Sequence, residues 1–261
     1  MSKLTVTLLQ TQLHWESLSE NIAQFEQFFS QLEDETDLII LPEMFTTGFS
    51  MNTVDLAESM DGKSVAWMAQ QSEKYDAAVV GSLIIQENDK YYNRLIFMRP
   101  DGTLDRYDKR HLFGMAGEDE TYTAGMTRLQ VEWRGWQICP LICYDLRFPV
   151  WSRNTSDYDL LLYIANWPMT RSFHWKSLLI ARAIENQSFT IGVNCVGKDG
   201  NGYLYSGDST IISPAGEILF QAHDREVTQT QVLEKTELKR VRRRLPFLAD
   251  RDHFDINLKE N

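Results

Sequence analysis

Three short apolar runs in this chain stop abruptly at polar or reactive side chains, and this pattern limits the possible folds most. Leu38–Leu41 runs into Pro42-Glu43, Ile138–Ile142 into Cys143-Tyr144-Asp145, and Leu160–Ala165 into Asn166-Trp167-Pro168. A strand that is apolar throughout has both faces covered, as in a sheet layered with helices. The carboxyl ends of such strands are where open α/β sheets place ligands. If the three strands neighbour one another, Glu43, Cys143 and Asn166 converge on one cleft.

The remaining sequence supplies the layers. Leu4–Gln10 alternates like a strand, and Asn21–Leu32 spaces Ile22, Phe25, Phe28, Phe29 and Leu32 along one helical face. Ser64–Tyr75 and Phe173–Ser188 read as helices, the latter with Trp175, Leu178, Leu179, Ala183 and Ile184 inward. Ala77–Ile85, Gln137–Ile142, Asp159–Ala165 and Thr190–Asn194 read as strands. Leu95–Tyr107 and Thr210–Phe220 read as hairpins around Pro100-Asp101-Gly102 and Pro214-Ala215-Gly216, two related turns that hint at similar sheet halves. No linker composition interrupts the chain. The expectation is one α/β layered domain over residues 1–261, with the last ~25 residues as a C-terminal arm.

Composition excludes several classes. Of 261 residues, 26 are Lys or Arg and 37 are Asp or Glu, a net charge of −11. That balance argues against nucleic acid or an anionic membrane as partner, since both need a basic face. The basic run Lys239–Arg244 reads as a solvated helix end or a subunit-contact arm. No apolar run is long enough to span a bilayer, and the N-terminus lacks a signal-peptide pattern. Three cysteines, Cys139, Cys143 and Cys195, make neither a disulfide framework nor a metal motif, which suits a reducing cytoplasm.

Cys143 is the candidate nucleophile, because it sits just past an apolar run, whereas Cys139 and Cys195 fall inside strand patterns and read as buried small residues. A thiol needs a base or a nearby cation to attack. Among five histidines, His111 alone comes near a comparable position, which leaves a Cys/His pair weakly supported. Glu43 can serve as base and Lys109 can supply positive charge. Taken singly, Glu43 reads better as a helix cap and Lys109 as surface charge in the run Asp105–His111.

Together these residues resemble the nitrilase superfamily of carbon–nitrogen hydrolases. Its three motifs stand here in order as Leu41-Pro42-Glu43-Met44-Phe45, Tyr107-Asp108-Lys109-Arg110-His111-Leu112-Phe113 and Cys143-Tyr144-Asp145-Leu146-Arg147-Phe148-Pro149. The stretch His174-Trp175 to Ala181-Arg182-Ala183-Ile184-Glu185-Asn186-Gln187 extends the likeness, which is strongest to omega-amidases. The resemblance implies a four-layer αββα sandwich and hydrolysis of linear amides, here the terminal amide of 2-oxo dicarboxylic acid monoamides such as 2-oxoglutaramate. It further implies Glu43 as base, Lys109 and the Tyr144 N–H as oxyanion donors, a Cys143 thioester, and no metal or organic cofactor. A second family glutamate matches Glu118, with Glu120 its neighbour and rival.

Arg147 and Arg171 are candidates for holding the substrate carboxylate, although Arg147 reads first as an ion pair with Asp145 or another acid that braces its turn. Phe45, Phe113, Tyr144 and Trp167 are candidate aromatic walls, some of which could equally be core. A homodimer follows from the family habit of pairing through outer helices. The rival readings are a carbamoylase or repair amidase on the same machinery, which Leu146 weakens in the carbamoylase case, and a non-catalytic protein that keeps the fold.

Overall fold

The computed structural model describes residues 2–32 and 35–257. Its strands are β1 (Lys3–Gln10), β2 (Leu38–Ile40), β3 (Ala78–Glu87), β4 (Lys90–Met98), β5 (Leu104–Asp108), β6 (Val131–Trp133), β7 (Trp136–Ile142), β8 (Leu160–Ala165), β9 (Phe189–Asn194), β10 (Val196–Lys198), β11 (Leu204–Ile212), β12 (Ile218–His223) and β13 (Val227–Glu234). The longer helices are α1 (Leu18–Ser30), α2 (Lys63–Tyr75), α3 (Ser172–Asn186) and α4 (Lys235–Arg244).

Two sheets repeat one plan. The first runs β13-β1-β2-β3-β4-β5, and the second runs β6-β7-β8-β9-β11, with β10 and β12 also paired to β11. In each, three parallel strands, β1-β2-β3 and β7-β8-β9, are flanked by antiparallel ones. The two related hairpin turns occupy equivalent places in that plan, after β4 and after β11, with Gly102 and Gly216 at φ of 80° and 87°.

Strand alternation builds the layers. Val6, Leu8, Ile40, Val80 and Phe97 face the second sheet and share a core with Ile138, Leu162 and Ile164. Their neighbours Leu9, Ile39, Leu41, Val79 and Ile96 point the other way, packing with Phe25 and Phe29 of α1 and Trp67 and Met68 of α2. Each such apolar side chain taken from water contributes about 1.5–3 kcal/mol. On the far side, α3 lays Trp175, Leu179 and Ala183 on the second sheet. The result is an αββα sandwich.

One expectation needs correction. Ile184 is not inward but 45% exposed. It lies over the turn at Gly216, where a Cβ would stand 2.6 Å from Ile184 Cγ1. The buried positions near that end of α3 are Arg182, Ala183 and Asn186, and Arg182 donates to the Leu146 carbonyl at 2.6 Å. In the basic run, Arg242 is drawn onto the body, donating to the Gln187 carbonyl at 2.9 Å, while Lys239, Arg240, Arg243 and Arg244 stay exposed. Of the expected C-terminal arm, residues 258–261 lie outside the described residues. No helix among the described residues is long and apolar enough to cross a membrane.

Candidate active site

The strand ends singled out in the sequence meet, but not along one sheet edge. β7 and β8 are neighbours, whereas β2 lies in the opposing sheet, so Glu43 reaches Cys143 and Asn166 across the sandwich. Beyond β2, Met44 takes φ 45° and its N–H donates to Ser82 Oγ at 2.9 Å, which turns the chain and fixes Glu43. The Asn166 N–H donates to Glu43 Oε2 at 2.8 Å, and its side-chain amide donates to the Glu43 carbonyl at 2.6 Å.

Lys109 follows β5 and is anchored by its N–H on the Asn93 carbonyl at 3.0 Å. Its ammonium is wholly buried, 2.9 Å from Glu43 Oε1 and 2.9 Å from both oxygens of Glu118. Glu118 opens a one-turn helix, Glu118–Thr121, and its Oε2 accepts the Phe113 N–H at 2.5 Å. Glu120 is exposed, so of the two rivals only Glu118 faces the cluster. Burial alone would lower the Lys109 pKa, but Glu118 and Glu43 outweigh it and raise the value, so the lysine stays charged. Burial raises the Glu118 pKa, opposed by Lys109 and assisted by Glu43.

Cys143 begins the turn after β7 with φ 43°, a left-handed conformation that costs about 1–2 kcal/mol for a non-glycine residue. Asp145 holds that turn closed: Oδ2 accepts the Ile142 N–H at 3.1 Å and the Tyr107 hydroxyl at 2.7 Å, and Oδ1 accepts the His111 N–H at 3.0 Å. His111 Nδ1 also lies 2.8 Å from Asp145 Oδ1, and its ring stacks on Phe148 at 3.7 Å. The histidine therefore ties the lysine loop to the cysteine turn and is not a base for the thiol. Burial first, and the Glu43 charge next, push the Cys143 thiol well above its ordinary pKa, so the resting thiol keeps its proton. Cys139 is buried within β7 and pushed up to about 12. Cys195 lies just after β9 and donates to Asn166 Oδ1 at 3.0 Å.

A cleft of about 670 Å³, counted to its open mouth, leads to Cys143. Lys109, Tyr144, Arg147, Asn166, Trp167 and Arg171 line it. Arg147 stacks 4.7 Å above the Trp167 ring and approaches His174 Nδ1 at 3.2 Å. It does not pair with Asp145, whose oxygens are taken by Tyr107, His111 and Ile142. Neither Arg147 nor Arg171 has a carboxylate partner among the described residues. Burial, and beyond it the neighbouring Arg171 cation, lower the Arg147 pKa.

Phe45 is not a wall of this cleft. It is fully buried in the outer layer of the first sheet, its ring centroid 5.5 Å from Phe25 and 5.7 Å from Trp67. Gly81 of β3 makes the space, since a Cβ there would stand 2.7 Å from Phe45 Cδ1. Phe49, four residues on, takes the cleft position instead, 5.1 Å from Lys109 Nζ. The sequence reading also missed Asn93, whose Nδ2 donates to Glu43 Oε1 at 2.7 Å and Glu118 Oε1 at 3.2 Å. Its one signal was an amide directly before the run Arg94-Leu95-Ile96-Phe97.

A family model described as carbon–nitrogen hydrolase matches residues 5–241. An omega-amidase of Escherichia coli, YafV, is 48% identical over 259 residues, covering 98% of this chain and 100% of that protein. A 2-oxoglutaramate amidase of Bacillus subtilis is 34% identical over 95% of this chain and 97% of its own length. Among solved structures, a CN-hydrolase superfamily protein of Xanthomonas campestris with an arsenic adduct in its active site superposes with a TM-score of 0.96. It is 42% identical and covers 98% of this chain and 100% of its own. The chain belongs to the carbon–nitrogen hydrolase family, the nitrilase superfamily.

Proposed function

We propose that this chain is an omega-amidase that hydrolyses the terminal amide of 2-oxo dicarboxylic acid monoamides, 2-oxoglutaramate in particular, to the dicarboxylate and ammonia. One observation carries the choice of substrate. The protein has a net charge of −11, yet among the described residues the cleft is lined by three cations, Lys109, Arg147 and Arg171, and by no acidic side chain. Such a site attracts an anion against the global field. Lys109 is committed to Glu43 and Glu118, which leaves Arg147 and Arg171 to hold a carboxylate at the end remote from Cys143. Relatives named omega-amidase and 2-oxoglutaramate amidase, at 48% and 34% identity, support the same reading.

The chemistry runs through a thioester. Glu43 takes the Cys143 thiol proton as sulfur bonds to the amide carbon. Glu43 Oε1 already accepts from Lys109 and Asn93, and among the described residues Oε2 accepts only the Asn166 N–H, so the open lone pair that receives the proton is on Oε2. The two Glu118 oxygens lie equally far from Lys109 Nζ and can share one ammonium hydrogen. A second hydrogen goes to Glu43, and the third is available to the oxyanion beside the Tyr144 N–H. Glu43 returns the proton to the departing nitrogen as the C–N bond breaks and ammonia leaves. It then deprotonates water, which attacks the thioester carbonyl. The carboxylic acid departs, and sulfur regains its proton.

The setting we propose is a single-domain homodimer in the cytoplasm. Exposed Phe173 and Ile184 on α3 offer apolar contacts for a second copy, and three free buried cysteines suit a reducing compartment.

Ammonia release from 2-oxoglutaramate, with glutamine and a simple nitrile as controls, tests the proposal. The keto-amide is expected to turn over. Glutamine is expected to react at least about tenfold more slowly, because its ammonium meets two guanidiniums and no acid. Failure on all three substrates would overturn the assignment. Arg147→Ala and Arg171→Ala are each expected to raise KM about 10- to 100-fold, the usual range for a lost charge-assisted hydrogen bond, with a smaller change in kcat. An unchanged KM in both variants places the carboxylate elsewhere.

A further inference from the structure

Four groups close a ring in the buried cluster behind Cys143. Glu43 Oε1 accepts from Lys109 Nζ at 2.9 Å, and Lys109 Nζ donates in turn to Glu118 Oε1 at 2.9 Å. Glu118 Oε1 accepts from Asn93 Nδ2 at 3.2 Å, and Asn93 Nδ2 donates back to Glu43 Oε1 at 2.7 Å. Asn93 is fully buried in β4, and its Oδ1 has no hydrogen-bond partner among the described residues. An orphaned buried carbonyl is unfavourable, and rotating the amide would aim that oxygen at two carboxylates instead. The electrostatics therefore fix which way Asn93 points: both amide hydrogens go to the glutamates, and the unsatisfied oxygen is the consequence.

We infer that Asn93 is a positioning residue for the proton transfer, holding Glu43 and Glu118 together as carboxylates and blocking Oε1 so that the thiol proton goes to Oε2. A single lysine between two carboxylates leaves a net negative charge in a dry site, which favours protonating one of them. The two N–H donors of Asn93 oppose that protonation without adding a charge. They also occupy the second lone pair of Glu43 Oε1 that would otherwise compete for the proton. The charged and titratable groups around Glu43 are Lys109 after β5, Glu118 with Tyr122 beyond it, Cys143 after β7 and Cys195 after β9. Among these groups Lys109 is the sole cation, so the neutral donors on Glu43, Asn93 and the Asn166 N–H, carry the rest of the task.

This inference deepens the reading of the same site, and its test does not depend on the substrate. The rate of Cys143 alkylation by iodoacetamide is followed against pH in the intact protein, for wild type, Asn93→Ala and Asn93→Ser. Losing both donors is expected to move the acid limb of the profile upward by about one pH unit, with serine, which keeps one donor, falling between. Turnover of the keto-amide by Asn93→Ala is expected to show kcat about tenfold lower with KM little changed, since Asn93 is absent from the cleft lining. Melting temperature is recorded for each variant. If alanine does not fold, the serine profile decides alone. A folded variant whose acid limb coincides with wild type overturns the inference and leaves Asn93 a packing residue. A shifted limb in an enzyme that does not hydrolyse keto-amides supports the inference and removes only the substrate assignment.

Discussion

Cys143→Ala is expected to lower kcat/KM by about 10⁴-fold or more while leaving the melting temperature within a few degrees of wild type. The loss is large because the cleft lining holds no second thiol among the described residues: Cys139 and Cys195 lie off it, and Cys195 already donates to Asn166 Oδ1. The stability change is small for separate reasons. Cys143 is 9% exposed at the cleft floor, and its hydrogen bond to the Asn166 carbonyl is long, at 4.0 Å. Alanine tolerates the left-handed backbone at this position about as well as cysteine does, and Asp145 still closes the turn. Because the buried thiol keeps its proton, removing it strands no charge. Turnover assays and thermal melts on the same preparation check both halves. A variant that melts much lower yet keeps its activity would sink the role of nucleophile.

Lys109→Met is expected to be worse, because it removes catalysis and stability together. The ammonium has no exposed surface and lies between two equally buried carboxylates, so its loss strands like charges in a dry site. Breaking a buried ion pair in this way costs about 3–5 kcal/mol. For a chain of this size, that corresponds to roughly 5–10 °C in melting temperature. The loss also depends on pH. Without the lysine, the folded-state pKa of at least one glutamate rises above its unfolded value. The resulting destabilisation is present above the folded pKa and is relieved as pH falls through it, so the variant should approach wild-type stability on acidification. Activity is expected to drop at least 10²- to 10³-fold through the lost oxyanion donor alone. Adding Glu118→Gln to Lys109→Met removes one stranded charge and should recover much of the melting temperature without restoring turnover. Recovery of both would show that Lys109 only neutralises charge and takes no part in the reaction.

These two residues also show how differently parts of the site could be read. Cys143 was visible because an apolar strand ending in a thiol has few structural explanations. Lys109 was visible only in company, since within Tyr107-Asp108-Lys109-Arg110-His111 it looks like any surface cation. Its burial depends on Glu43 and Glu118 arriving from two other segments. Asn93 gave almost no signal, because one amide in a strand implies neither burial nor function until both glutamates are brought to it. Phe45 and Phe49 are four residues apart and chemically identical. Only the space above Gly81 and the turn at Met44 send the first into the helix layer and the second to the cleft. From sequence, Arg147 reads first as an ion pair with Asp145 and only second as a substrate contact. That pairing is lost because Tyr107, His111 and Ile142 reach the carboxylate first.

The sequence alone determined the layered α/β class, most strand and helix positions and the identities of Glu43, Lys109 and Cys143 as candidates, because periodicity and strand-end chemistry are local properties. The tertiary structure decided that Glu43 meets Cys143 across two facing sheets, that Glu118 and not Glu120 turns inward, and that Asn93 completes the ring. It also decided that Arg147 and Arg171 stand in the cleft of an acidic protein with no carboxylate partner among the described residues. Each of these depends on which distant groups share a dry volume, and burial and competition for hydrogen-bond partners are properties of the packed whole that no single segment encodes.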